Sequence, residues 1–187
     1  MEFIVTHLTR MEFPNICVAG IDAHTRENVR LVLPYPQTFT CTMCAHKGGP
    51  FELGARLDVG ETQAMPCPPE SEDQLIVLRK VRKLGIVNPA ELWRLVADKA
   101  HADIASIFGA ALAKTRQTYF SPEGQGNVSL GFLKPRYAVK LWIREFEERA
   151  KIALLCQDSG DRLQLPVTDL RLHRHFSEYP VDKAAVD

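Results

Sequence analysis

Apolar residues fall in short runs along the first part of the chain, each closed off by a polar or proline-containing turn. Phe3-Ile4-Val5 reads as a strand, Phe13-Pro14-Asn15 as a turn, and two further apolar runs follow around the polar segment 23–28. The first is Ile16-Cys17-Val18-Ala19-Gly20-Ile21-Asp22 and the second Val29-Arg30-Leu31-Val32-Leu33. Two such runs flanking a segment too polar to bury predict a β-hairpin with a longer loop. Strand alternation puts Val29, Leu31 and Leu33 on one face and Arg30 with Val32 on the other, so Arg30 projects from a sheet. Gly20, inside an apolar strand, predicts a bulge or a bend that curls the sheet.

Further along, 34–50 is loop-like, and 51–59 alternates with Leu53, Ala55, Leu57 and Val59 on one parity, as a strand does. A proline-rich connector, Pro66-Cys67-Pro68-Pro69, leads into 70–84, whose pattern fits either helix or strand. Asn88 as N-cap, Pro89 at N1 and Glu91 at N3 announce a helix. Leu92, Leu95, Val96 and Ala100 form its apolar stripe, and a second helix passes through Ile104, Ile107, Phe108, Ala111 and Leu112. Segment 115–127 reads as a loop with little structure of its own. Beyond it, 128–132, 137–146, 151–157 and 162–167 read as short strands, which argues a second small barrel or meander. The expected organisation is mainly β with helices, of the α+β kind. Residues 1–84 form a first unit, 85–127 a helical connector and mobile loop, 128–176 a second unit, and 177–187 a frayed tail.

The run Cys-Val-Ala-Gly-Ile-Asp ending at Asp22, followed by Val29-Arg30-Leu31-Val32, resembles the opening of the bacterial dual-OB domain family. Ser129-Leu130-Gly131 and Leu165-Pro166-Val167-Thr168-Asp169-Leu170 are similar to that family as well, so the resemblance spans roughly 1–173. It implies that the two β units are OB-like barrels bridged by the helical segment. It also implies binding of a ligand or nucleic acid more readily than catalysis, because OB folds present a groove that takes oligonucleotides.

Composition narrows the partners. Of the 187 residues 45% are hydrophobic and 25% charged, an ordinary balance for a globular protein. Lysine and arginine total 23, as do aspartate and glutamate, so any attraction for a polyanion must be local rather than global. The N-terminus carries no basic segment before its apolar residues and no run is long enough to cross a bilayer, so the expectation is a cytoplasmic protein with no membrane partner. Five cysteines then read as reduced thiols.

The sharpest candidate site is Arg136-Tyr137-Ala138-Val139-Lys140-Leu141-Trp142-Ile143-Arg144. Alternation groups Val139, Leu141 and Ile143 on one face and Arg136, Lys140, Trp142 and Arg144 on the other. A tryptophan among cations suits a single strand, whose bases stack on the ring while the cations meet phosphate. The opposing reading buries Trp142 under the helices and leaves the cations solvated or paired with Glu145, Glu147 and Glu148. Arg30, and Arg171 beside His173-Arg174-His175, are further candidates for phosphate, against the plainer reading of polar strand ends. Arg79, Lys80, Arg82 and Lys83 form another basic run, read as solvated. Cys41 and Cys44 have the spacing of half a zinc site, with His46 and Cys67 as remaining ligands, but a second close pair is missing. No phosphate loop, serine elbow or HExxH motif occurs, so no catalytic residue is assigned and no cofactor is expected beyond the zinc alternative. The leading function is therefore non-catalytic binding of single-stranded nucleic acid. The alternatives are a regulatory module that senses a nucleotide or other small ligand between the units, and a zinc-bearing interaction protein.

Overall fold

The computed structural model describes residues 1–109, 113–115, 118–120, 125–146, 149–158 and 161–173. Its first sheet joins β1 (Glu2–Arg10), β2 (Ile16–Asp22), β3 (Asn28–Val32), β4 (Ala55–Asp58), β5 (Gln63–Ala64), β6 (Asp73–Leu75) and β7 (Arg82–Ile86) in the order β5-β6-β3-β2-β1-β4-β7. The hairpin expected from the sequence is β2–β3, with Val18 opposite Leu31 and Gly20 opposite Val29. Asp22 shapes its turn, since Oδ1 accepts the backbone N–H groups of His24 and Thr25.

Chain length forces this sheet to curl. Laid flat, β6 and β7 would lie five strand spacings apart, about 24 Å. Only residues 76–81 join them, and 78–80 are a tight 3-10 turn that shortens the link well below that reach. One stretch, 73–86, thus pairs parallel with β3 at its start and antiparallel with β4 at its end. The undecided segment 70–84 is accordingly strand, turn and strand, not helix. The sheet curls without closing: no ladder joins β6 to β7 among the described residues.

Inside the curl, Phe3, Val5, Val18, Val29, Leu31, Leu57, Val59 and Ile76 pack with Phe39, Phe51 and Cys44. Gly20 makes this core possible, because a Cβ there would sit 2.0 Å from the Ile4 carbonyl oxygen and 2.8 Å from the Phe3 ring. The register of β1 shifts directly opposite, between Val5 and His7, so the bend predicted at Gly20 is realised as a bulge on the partner strand.

After β7 comes α1 (Pro89–Asp98), capped as the sequence predicts by Asn88, whose side chain accepts the Ala90 N–H at 2.9 Å. It has no fully buried residue: Leu92, Leu95 and Val96 are half-buried, and Trp93 is exposed. Ala100, expected on this helix, instead starts the short strand β8 (Ala100–His101), since the helix stops at Asp98. Next, α2 (Ile104–Phe108) ends at Gly109 in the left-handed conformation, and the Ala111 and Leu112 expected in it lie outside the described residues. The hairpin β9 (Ala113–Thr115) and β10 (Thr118–Phe120) occupies part of the stretch read as an unstructured loop. The strand β11 (Phe132–Leu133) pairs parallel with β8, and β12 (Lys140–Phe146), β13 (Arg149–Asp158) and β14 (Asp161–Pro166) form an antiparallel sheet. Ile104 and Phe108 of α2, with Leu133, pack on Cys156, Leu163 and Leu165 of that sheet. The 177–187 tail falls outside the described residues.

Two short segments fasten the later part of the chain to the first sheet. The buried Glu72 carboxylate accepts the Ser129 and Leu130 N–H groups, both at 2.7 Å, and the Ser129 hydroxyl at 3.1 Å. Asn28 donates to the Leu130 carbonyl at 3.2 Å, and a Cβ on Gly131 would lie 2.2 Å from Ile107, so the chain can pass only as glycine. At the other fastening, the Arg10 N–H donates to the Thr168 carbonyl, Thr9 bridges Asp169, and Leu170 packs against the first core. Removing the carboxylate would leave the Ser129 and Leu130 N–H groups without an acceptor. Glu72→Ala should therefore lower unfolding free energy by about 3 kcal/mol, and Glu72→Gln, which keeps one acceptor oxygen, by roughly 1 kcal/mol. Denaturant melts of the two variants check that order.

Candidate nucleic-acid interface

The three-stranded sheet has two unlike faces. Ile143 opposite Ile152, Leu141 opposite Leu154, and Cys156 opposite Leu163 belong to the face that α2 covers. The register places Lys140, Trp142, Lys151 and Arg162 on the other face. Trp142 is 37% exposed there, and Lys140, Lys151, Leu155 and Arg162 are exposed around it. In the ladder the backbone of Arg144 stands directly opposite that of Lys151.

Each candidate from the sequence now has a position. Lys140, Trp142 and Arg144 are positions of the one strand β12, while Val139, grouped with the apolar face, is 42% exposed just before it. Arg136 is exposed ahead of β12 and near Asp103, whose carboxyl is held below its usual range by hydrogen bonds from Ser106, with the Arg136 charge adding to the effect. Arg30 lies apart from them and makes a two-pronged pair with Asp73, Nε to Oδ1 at 2.6 Å and an Nη to Oδ2 at 2.9 Å. Burial opposes its charge, but the Asp73 bond outweighs that and holds the guanidinium above its ordinary pKa. Arg171 is paired in the same way with Asp169. His173 contacts the Val167 carbonyl, and Arg174 and His175 lie outside the described residues.

Sequence reasoning missed Lys151 and Arg162. The alternation of 149–157 contains the signal, but assigning its cations to the Trp142 face needs the ladder register, which a sequence does not print.

Cys44 is buried beside Phe51 in the first core, and burial, with Cys41 adding to it, pushes its thiol pKa up. Cys41 is half-buried near Lys47, and Cys67 is exposed in a separate turn bridged to Glu70. Among the described residues, no group of three or more His, Cys, Asp or Glu side chains could hold a metal ion. Metal analysis of the purified chain decides the zinc alternative: about one equivalent, with melting lowered by a chelator, supports it, and metal-free protein indifferent to the chelator removes it.

A cavity of about 410 Å³ opens where the second fastening meets the first core, between Leu8, Phe51 and Leu170, with His46, Glu52 and Arg171 at its polar positions. No helix among the described residues is long and apolar enough to cross a membrane.

With the geometry in place, comparison with known proteins adds one decisive match. A family model described as a dual OB-containing domain covers residues 4–187. The chain belongs to the dual OB-containing domain family. No curated protein and no solved structure matches it. Membership agrees with the mainly β architecture with few helices, and with the curled, incompletely closed first sheet, since OB folds are partly open barrels.

Acid should loosen the second fastening. Burial lowers the pKa of His7, which stacks on Phe132 with ring centroids 5.0 Å apart, although Asp169 works in the opposite direction. Asp169 is also below its ordinary value: burial raises it, but the Arg171 bonds prevail. Both folded pKa values lie under their unfolded ones, so both contributions are complete above the unfolded pKa and are lost as pH falls through the folded one. For His7 the loss begins near its ordinary 6.5, and for Asp169 near 3.8. Melting temperature should therefore drop as pH is lowered from 7 to 5, and His7→Phe, which stacks but cannot be protonated, should flatten that limb.

Proposed function

We propose that this dual-OB protein binds single-stranded nucleic acid without catalysis, across the open face of β12, β13 and β14. The observation that carries the reading is a face on which the partly exposed Trp142 stands among the exposed Lys140, Lys151 and Arg162. A chain with zero formal charge has then concentrated positive charge where a phosphate backbone would lie. In this reading Trp142 takes the face of a base, and Lys140, Arg144, Lys151 and Arg162 meet phosphates, with Arg136 at the margin. Arg30 and Arg171 contribute through their carboxylate pairs, which hold the scaffold. The two β units, 1–84 and 128–176 with 85–127 between them, act as two OB-type barrels.

A second reading is favoured by the cavity at the second fastening, which has the size of a small-ligand site. There the protein senses a nucleotide, and the seam between the units responds.

One titration series separates the two. On the open-face reading, Trp142→Ala weakens single-strand affinity of the folded protein by about 1 to 3 kcal/mol. Lys151→Glu weakens it further and makes log affinity less steep against log salt, because fewer counterions are released. Mononucleotides binding as tightly as oligonucleotides, with affinity indifferent to salt and to Trp142, would transfer the function to the cavity.

A further inference from the structure

Two loops at one end of the first sheet display large apolar side chains that the core does not use. Met11 is 61% exposed, Phe13 86% and Tyr35 98%. Met11 and Phe13 sit in the turn from β1 to β2, and Tyr35 follows β3. The loops are tied side by side: the Ile16 N–H donates to the Phe39 carbonyl and the Cys41 N–H to the Pro14 carbonyl, both at 2.9 Å, and the Thr38 hydroxyl donates to Asn15 Oδ1 at 2.9 Å. An exposed phenylalanine and tyrosine held on neighbouring, hydrogen-bonded loops form a fixed aromatic tip.

A backbone path links this tip to the cationic face. Trp142, Ala153 and Pro166 form one row across β12, β13 and β14. Two residues after Pro166, the Thr168 carbonyl accepts the Arg10 N–H, and Arg10 is exposed next to Met11. Ladder spacings and residue lengths along that path set an upper limit of about 32 Å between the Trp142 and Phe13 backbones. A strand of about ten nucleotides at helical spacing covers that length, within the site sizes of OB-type proteins. The single charged residue in the turn itself is Glu12, and 34–40 carries none, so the tip offers flat apolar surface rather than phosphate contacts.

Resting on the proposed function, we infer that Phe13 and Tyr35 form a second stacking station, so that one nucleic-acid strand runs from Trp142 to the tip of the first unit. A short strand then occupies the cationic face alone, and a longer one reaches both.

The test measures binding of oligothymidine of about four and about twelve residues to the full chain by fluorescence anisotropy. In Phe13→Ala/Tyr35→Ala, affinity for the longer strand should fall about tenfold or more while the shorter is unaffected; Trp142→Ala should weaken both. Unchanged long-strand binding by the double variant, with Trp142→Ala still defective, overturns the second station and leaves the proposed function standing. Wild-type protein that binds neither strand overturns both. A double variant whose sedimentation shows altered self-association, with long-strand affinity intact, assigns the tip to contacts between copies and also overturns the station. Photocrosslinking of the wild-type chain to a twelve-residue strand bearing 5-iodouracil gives a readout independent of folding in the variant. Adducts at Phe13 or Tyr35 support the path, and adducts confined to the Trp142 face refute it.

Discussion

A carboxylate sealed from water, with two backbone N–H groups and a hydroxyl as its donors, joins the two halves of this protein. Glu72 leaves the strand region beside Asp73, and its own backbone carbonyl accepts the Arg30 N–H. The residue therefore belongs to the first sheet by its backbone and to the Ser129-Leu130-Gly131 turn by its side chain. A buried charge is tolerated only when its hydrogen bonds are made, so first sheet and turn must form together. From that turn the chain enters β11, then the sheet with the cationic face. The position of that face relative to the first unit depends on this joint and on the Arg10–Thr168 contact.

The three motifs that carry the family resemblance acquire a common explanation. Cys-Val-Ala-Gly-Ile-Asp supplies the strand whose glycine lets Phe3 enter the core, Ser-Leu-Gly wraps the buried carboxylate, and Leu-Pro-Val-Thr-Asp-Leu returns the chain to the end of β1. None of them lies on the proposed binding surface except through Pro166 at its edge. They specify how the units are joined, whereas the charged face is built from residues outside them.

Local pattern carried much of the fold. The β2–β3 hairpin follows from two apolar runs and a polar turn, the start of α1 from Asn88-Pro89, and β12 from the alternation around Trp142. Where the pattern was mixed, tertiary pairing decided. Residues 70–84 show no single period because they change partner midway, and Ala100 leaves its helical stripe because Phe132 offers a parallel neighbour. The candidate site was half legible for the same reason. Trp142 and its neighbours share a strand, but Lys151 and Arg162 join them only through register, and the Asp73 partner of Arg30 is remote in sequence.

The link 76–81 works as a measuring line. Its two ends are pinned in different ladders, one to β3 and one to β4, so its span fixes how far apart those strands can stand around the curl. Lengthening it would widen the circumference and loosen the packing of Phe3, Leu57 and Ile76; shortening it would tighten the bore until those side chains no longer fit. In this protein the spread of the curled first sheet is thus tied to the length of one connecting segment.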